Sequence, residues 1–153
     1  MPSAWRIVRE KHVATAFTGE GAAKYGGRWN SPGVPVVYTS ASRALAALEM
    51  LVHLNPPCFF TYKAFQIQFD EEVIRRIPAE DLPPGWDAEP PPGSTVRLGD
   101  QWAEGRQSAV LEVPSIIVPE ESNYLVNPLH PDFSRIKIGP AADFVFDPRL
   151  VRA

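Results

Sequence analysis

Proline marks where regular structure in this chain must stop. Seventeen of the 153 residues are proline. Each one lacks a backbone donor and fixes φ, so it interrupts a helix interior or a central strand. The densest clusters are Leu82–Pro83–Pro84–Gly85 and Glu89–Pro90–Pro91–Pro92–Gly93. Residues 82–93 therefore read as an internal surface excursion. A domain linker is the alternative, but neither half would then bury much core. No internal repeat is visible, so one domain over residues 1–153 is expected.

Short elements fill the spaces between breaks. Trp5–Arg9 alternates bulky and polar residues and reads as a strand. Residues 18–33, rich in glycine and small polar side chains, read as a long irregular loop, a feature that is often functional. Val34–Thr39 is β-branched and reads as a buried strand. Ala41–Leu54 is the clearest helix, capped by Ser40 or Ser42 and stopped by Asn55–Pro56–Pro57. At helical spacing Ala44, Leu45, Leu48, Leu51 and Val52 form its apolar face. Phe59–Phe69 reads as a long strand and Val96–Glu104 as a short helix. Ala109–Val113 and Ile116–Val118 are short apolar runs split by Pro114. Ile136–Ile138 and Asp143–Phe146 read as closing strands. Strands outnumber helices without regular alternation, which indicates an α+β domain with mixed or antiparallel sheets and a few helices.

Several function classes are excluded early. Eighteen acidic residues against fifteen basic ones leave a net charge of -3. That balance gives no electrostatic reason for direct nucleic-acid binding. Cys58 is the single cysteine, in apolar company between Pro57 and Phe59, and reads as a small hydrophobe rather than a nucleophile. An isolated thiol fits an intracellular, cytoplasmic protein. No apolar run suits a signal peptide or a membrane span. No GxGxxG follows a strand and no phosphate-binding GxxxxGK[ST] loop is present. His12, His53 and His130 lack zinc-protease spacing, so no metal site is expected.

The candidate chemistry lies elsewhere. In Tyr25–Gly26–Gly27–Arg28–Trp29–Asn30, two glycines permit close backbone approach, and the arginine fork behind them suits a phosphate or pyrophosphate. The plainer reading is a glycine turn with a surface arginine stacked on Trp29. Tyr38 sits at a strand end, where clefts open, or is a core aromatic with one hydroxyl partner. Glu49 lies on the shoulder of the helical apolar face, where a carboxylate needs a partner. Arg28 and His53 are the candidates; a solvated glutamate is the alternative. Ser115 follows Pro114, pointing into a cleft or marking a strand bend. Asn123, Asn127 and His130 read as turn chemistry.

Taken together, these pieces resemble the RES domain family, named for arginine, glutamate and serine. The matching stretches are Gly26–Gly27–Arg28–Trp29–Asn30, Val37–Tyr38–Thr39–Ser40, Ala47–Leu48–Glu49, Val113–Pro114–Ser115 and Asn123–Tyr124–Leu125–Val126–Asn127–Pro128. The resemblance runs from Trp5 to about Ile138 and is silent over 70–108. It implies a fold similar to ADP-ribosylating toxins, and a cytoplasmic toxin that depletes NAD⁺ by hydrolysis or phosphorolysis. It implies no cofactor: NAD⁺ is the substrate and inorganic phosphate a candidate co-substrate. It also implies a cognate antitoxin with a helix-turn-helix DNA-binding region. By resemblance the catalytic set falls on Arg28, Tyr38, Glu49 and Ser115, and substrate binding on Arg28, Tyr38, Ser115 and Asn127. Arg6 and Arg43 are available for a second anion pocket. An ADP-ribosyltransferase acting on a macromolecule and a non-catalytic partner-binding module are the competing readings.

Overall fold

The computed structural model describes residues 1–53 and 61–151. Among these, eight strands form one sheet: β1 (Ser3–Arg9), β2 (Val37–Ser40), β3 (Tyr62–Gln68), β4 (Ile74–Arg76), β5 (Val110–Pro114), β6 (Ser122–Val126), β7 (Lys137–Ile138) and β8 (Ala142–Phe144). Three α-helices accompany them: α1 (Glu20–Tyr25), α2 (Arg43–Leu51) and α3 (Gly93–Glu104). The strand order is β4-β5-β6-β2-β1-β3-β7, and β8 shares the outer edge of β3 with β7. Every pairing is antiparallel except β4 with β5. The α+β class expected from the sequence is the one observed.

Both faces of the sheet centre are covered, because side chains alternate across it. On one face Ala4, Val37, Ile67, Phe69, Val110 and Val126 form an apolar layer. On the other, Leu111, Val113 and Leu125 meet Trp29, Val36 and Trp102. Farther along that second face, Ile7, Tyr62 and Ala64 meet Ala46 and Phe146. Each fully buried valine or leucine here contributes about 1.5–3 kcal/mol relative to exposure. Trp5 pairs with Ser40 in the β1–β2 register, and Tyr38 lies two residues away on the same side. The side of the sheet bearing Trp5, Tyr38 and Ser40 therefore lies between the α2 cluster and the Trp29–Trp102 cluster.

Several expectations are corrected. Residues 18–33 are not wholly irregular: α1 forms within them, entered at Gly19 and left at Gly26, both at positive φ. β2 starts at Val37, after Pro35 rather than before it. Of the two candidate serines, Ser42 caps α2, its Oγ accepting from the Leu45 amide at 3.0 Å, which stabilises by about 1 kcal/mol. The buried side of α2 carries Leu45 and Ala46, whereas Leu48 and Val52 are 39% and 61% exposed. The helix is thus rotated from the expected face, bringing Glu49 towards the sheet. The apolar run 116–118 lies in the bend that follows β5. Asn123 lies in β6, a central strand, and not in a turn. The Asn55–Pro57 stop, Cys58 and the expected strand start at Phe59 lie outside the described residues. Among the described residues, no helix is long and apolar enough to cross a membrane.

Candidate active site

The glycine–arginine loop is built around a buried asparagine. Asn30 is 1% exposed. Its amide nitrogen donates to the Ala22 carbonyl at 2.9 Å and the Val34 carbonyl at 3.0 Å, joining α1 to the approach of β2. Its Oδ1 accepts from the Tyr38 hydroxyl at 2.5 Å, and that hydroxyl accepts from the Trp29 amide at 3.2 Å. The phenol fits only because position 27 is glycine: a Cβ there would stand 2.7 Å from the Tyr38 oxygen. Burial, above all, pushes the Tyr38 pKa well above its ordinary 10.0, and Asp100 adds to the rise. Tyr38 is therefore a protonated strut at neutral pH, with its hydroxyl engaged in the loop.

Helix α3 backs the same loop. Thr95 Oγ donates to the Arg28 carbonyl at 2.8 Å. Asp100 accepts from the Ser31 amide at 2.9 Å and the Ser31 hydroxyl at 2.6 Å. Gly99 presses directly on the loop backbone: a Cβ at that position would lie 1.6 Å from the Trp29 carbonyl oxygen. These contacts fix where the Arg28 side chain leaves the main chain.

The Arg28 guanidinium meets the proline-rich excursion. It donates to the Trp86 carbonyl at 3.0 Å and the Ala88 carbonyl at 2.6 Å, and pairs with Glu89 Oε2 at 2.6 Å. Its side chain is 10% exposed against 71% for Glu89. Segment 86–89 thus presents three oxygens to the fork, including one carboxylate. Trp29 is buried in the core, away from the surface stack that a plain turn would give.

Glu49 has a different partner from those anticipated. Neither Arg28 nor His53 is its recorded partner; Asn123 Nδ2 donates to Glu49 Oε2 at 2.7 Å. Asn123 in turn accepts at Oδ1 from the Ser40 hydroxyl, also at 2.7 Å. Sequence reasoning missed both Asn30 and Asn123 as organisers. For Asn123 the signal was an amide inside the apolar run leading to Val126, on a strand where it must find partners.

Ser115 and Asn127 are framework groups here. Ser115 is 0% exposed, and its Oγ accepts from the Ile117 and Val118 amides at 3.1 and 3.2 Å. That is a strand-end turn. Asn127, also buried, donates to the Ala103 carbonyl at 2.9 Å and accepts from the Leu129 amide at 3.0 Å. Arg6 lies on the other side of β1 from Trp5, bound to the Ala16 and Tyr38 carbonyls at 2.5 and 3.0 Å. Burial pulls its pKa down to about 10, which leaves it cationic at neutral pH. Arg43 is exposed and stacks over Trp5, 4.3 Å from the ring centroid. Two small hollows, of about 160 and 200 Å³, lie by Ile77 and Glu112 and by Arg76 and Trp102, and neither is lined by Arg28 or Glu49. Among the described residues, no group of three or more His, Cys, Asp or Glu could hold a metal ion.

The Arg28 loop and Glu49 are each tied to the same face of β2, the loop at Tyr38 and Glu49 through Asn123 at Ser40. A loop strut stands at Tyr38 and a carboxylate relay at Ser40, two residues apart, or about 7 Å. The RES domain model matches residues 3–147. This chain belongs to the RES domain family. Among its RES-like relatives, the "Prs ADP-ribosylating toxin" of Sphingobium sp. is 42% identical, with 98% of this chain and 97% of that one aligned. "Toxin Res" of Yersinia enterocolitica is 39% identical over 95% and 97% of the two chains. The fold also matches a chain of the M. tuberculosis MbcT–MbcA toxin–antitoxin complex, with TM-score 0.68 and 18% identity. That match covers 98% of this chain and 86% of the other.

Proposed function

We propose that this RES protein is the toxin of a toxin–antitoxin pair and that it depletes NAD⁺ by cleaving the bond between nicotinamide and ribose. The observation that carries this reading is the pairing of two ionic groups with one strand face: the Arg28 loop braced at Tyr38, and Glu49 tied through Asn123 to Ser40. An anion-binding fork on a loop and a carboxylate on a helix, both anchored to one short strand, suit a substrate with phosphates at one part and a developing cation at another.

The chemistry asks little of the protein beyond charge and position. The C–N bond electrons leave with nicotinamide, which departs neutral, and the ribose develops oxocarbenium character. Glu49 offsets that charge and accepts from ribose hydroxyls, as glycosidase carboxylates do. Removing one electrostatic contact of this kind costs about 10²–10³-fold in rate. Arg28 binds the pyrophosphate through its fork, taking phosphate oxygens where Glu89 now sits. Tyr38 acts as a positioning residue for the Arg28 loop and offers its ring edge to the substrate. Ser115 and Asn127 belong to the frame rather than the substrate surface, because their polar atoms already hold backbone groups.

Water or inorganic phosphate then attacks the ribose carbon. Incubating partner-free protein with NAD⁺ tests this directly: free nicotinamide is expected, and the mass of the second product separates ADP-ribose from its phosphorylated counterpart. An unchanged NAD⁺ pool would end the reading. A second reading, ADP-ribosyl transfer to a macromolecule, is favoured by the name of the Sphingobium relative. It predicts a mass gain on a protein or nucleic acid instead of a free sugar product. An enzyme of either kind acts on the cytoplasmic NAD⁺ pool and would harm its own host, so a cognate antitoxin, with a helix-turn-helix region for DNA, belongs to the proposal.

A further inference from the structure

The Ser40–Asn123–Glu49 chain has a fixed polarity. A carboxylate only accepts, so the Asn123 amide nitrogen must face Glu49, at 2.7 Å from Oε2. The amide oxygen then faces Ser40, whose hydroxyl must donate, again at 2.7 Å. Ser40 and Asn123 are directly opposed in the β2–β6 register, at the centre of the sheet. The backbones behind them are anchored further by the Ala41 amide, which donates to the Ser122 carbonyl at 3.0 Å.

Glu49, by contrast, rides on a short helix. α2 ends at Leu51, and a glutamate has three rotatable bonds, so its carboxylate would otherwise sample several rotamers. The contact from Asn123 holds one oxygen. Among the described residues, the other oxygen, Oε1, has no recorded hydrogen-bond partner, and Glu49 is half-buried rather than enclosed. One oxygen is thus held by the sheet while the second remains available to a ligand.

We propose that Asn123, itself oriented by Ser40, is the positioning residue that aims the Glu49 carboxylate at the substrate. The inference rests on Glu49 acting in the reaction. It assigns a role to a strand asparagine that touches no substrate, and it places the rigid reference for the site in the β2–β6 pair rather than in α2.

The test compares Asn123→Asp, Asn123→Ala and Ser40→Ala, each with wild-type Glu49 and with Glu49→Gln. Thermal melts first establish that each variant folds. Asn123→Asp keeps the shape but, when ionised, cannot donate and repels Glu49, whereas a role confined to the fold predicts near-normal turnover in a folded variant. The expected result is a kcat loss of about tenfold or more for both Asn123 variants, with KM within about threefold, as for a lost transition-state contact. Ser40→Ala loses less. In the Glu49→Gln background the same substitutions cause little further loss, because the group they position is already gone. Full multiplication of the losses in that background, or normal kcat in a folded Asn123→Asp protein, overturns the proposal. If wild type itself leaves NAD⁺ intact, the NAD⁺ reading fails separately. Growth arrest on expression then decides the positioning role: Asn123 variants should relieve it as Glu49→Gln does, and undiminished arrest by folded Asn123 variants rejects it.

Discussion

The guanidinium of Arg28 is held by the carboxylate of Glu89, sixty-one residues away, at 2.6 Å. A phosphate that takes the Nη2 position held by Glu89 must displace that contact. Replacing Glu89 by glutamine removes the competing charge while leaving the Trp86 and Ala88 carbonyls in place. KM for NAD⁺ is expected to fall by about two- to fivefold, the scale of one weak ion pair. Because Glu89 is largely exposed, stability should change by less than about 0.5 kcal/mol. Steady-state kinetics with an accompanying melt would check both; an unchanged or higher KM contradicts the competition.

Gly99 gives a stability prediction of definite sign. Alanine is normally the better helix residue, by about 1 kcal/mol. Here its Cβ would sit 1.6 Å from the Trp29 carbonyl oxygen, and that neighbour is backbone. The clash should win, so Gly99→Ala is expected to destabilise by about 1–3 kcal/mol or more in urea denaturation. A variant as stable as wild type would show that α3 does not press on the loop in this way.

Tyr38→Phe separates the strut from the ring. It leaves Asn30 Oδ1 and the Trp29 amide without their hydroxyl partner, at a cost of about 1–3 kcal/mol. The pH dependence has a sign as well. The folded-state pKa lies above the unfolded value of 10.0, because burial disfavours the phenolate. The contribution is therefore full below about pH 10 and is lost as pH climbs past the unfolded pKa towards the folded one. Tyr124, pushed up to about 12 chiefly by burial, behaves the same way in both proteins. Melts taken from pH 8 to 11 should show a shallower alkaline decline in Tyr38→Phe; parallel curves would contradict the buried-phenol account.

Ser115 distinguishes frame from chemistry. Its hydroxyl accepts from two amides of the turn that follows β5. Ser115→Ala should cost about 1–2 kcal/mol of stability, while kcat/KM of the folded variant stays within about threefold. A hundredfold loss of kcat/KM with an intact fold would instead put the hydroxyl on the substrate.

The two ionic groups of the candidate site stood out in the sequence because each breaks a local rule, an arginine behind paired glycines and a glutamate beside an apolar helix face, but their functional assignment came from the resemblance to the RES family. Their partners were not legible. Glu89 and Asn123 stand 61 and 74 residues from the groups they meet, and only tertiary pairing brings them near. Asn123 was misread because serine and asparagine favour turns locally, whereas here β2 and β5 on either side hold that stretch in a central strand. The face of α2 was misjudged for a related reason. Leu48 and Val52 fit an apolar stripe, but the sheet accepts Leu45 and Ala46, and Glu49 is drawn in by Asn123. The strands β1, β3 and β5 were readable from alternation and branching because their packing agrees with their propensities.

The most direct measurement mixes NAD⁺ with purified, antitoxin-free protein and follows nicotinamide by chromatography, for wild type beside folded Glu49→Gln. Steady release by the wild type and a fall of about a hundredfold or more in the variant is the predicted pair of results. Equal release from both proteins, or none from a well-folded wild type, would contradict the role given to this carboxylate.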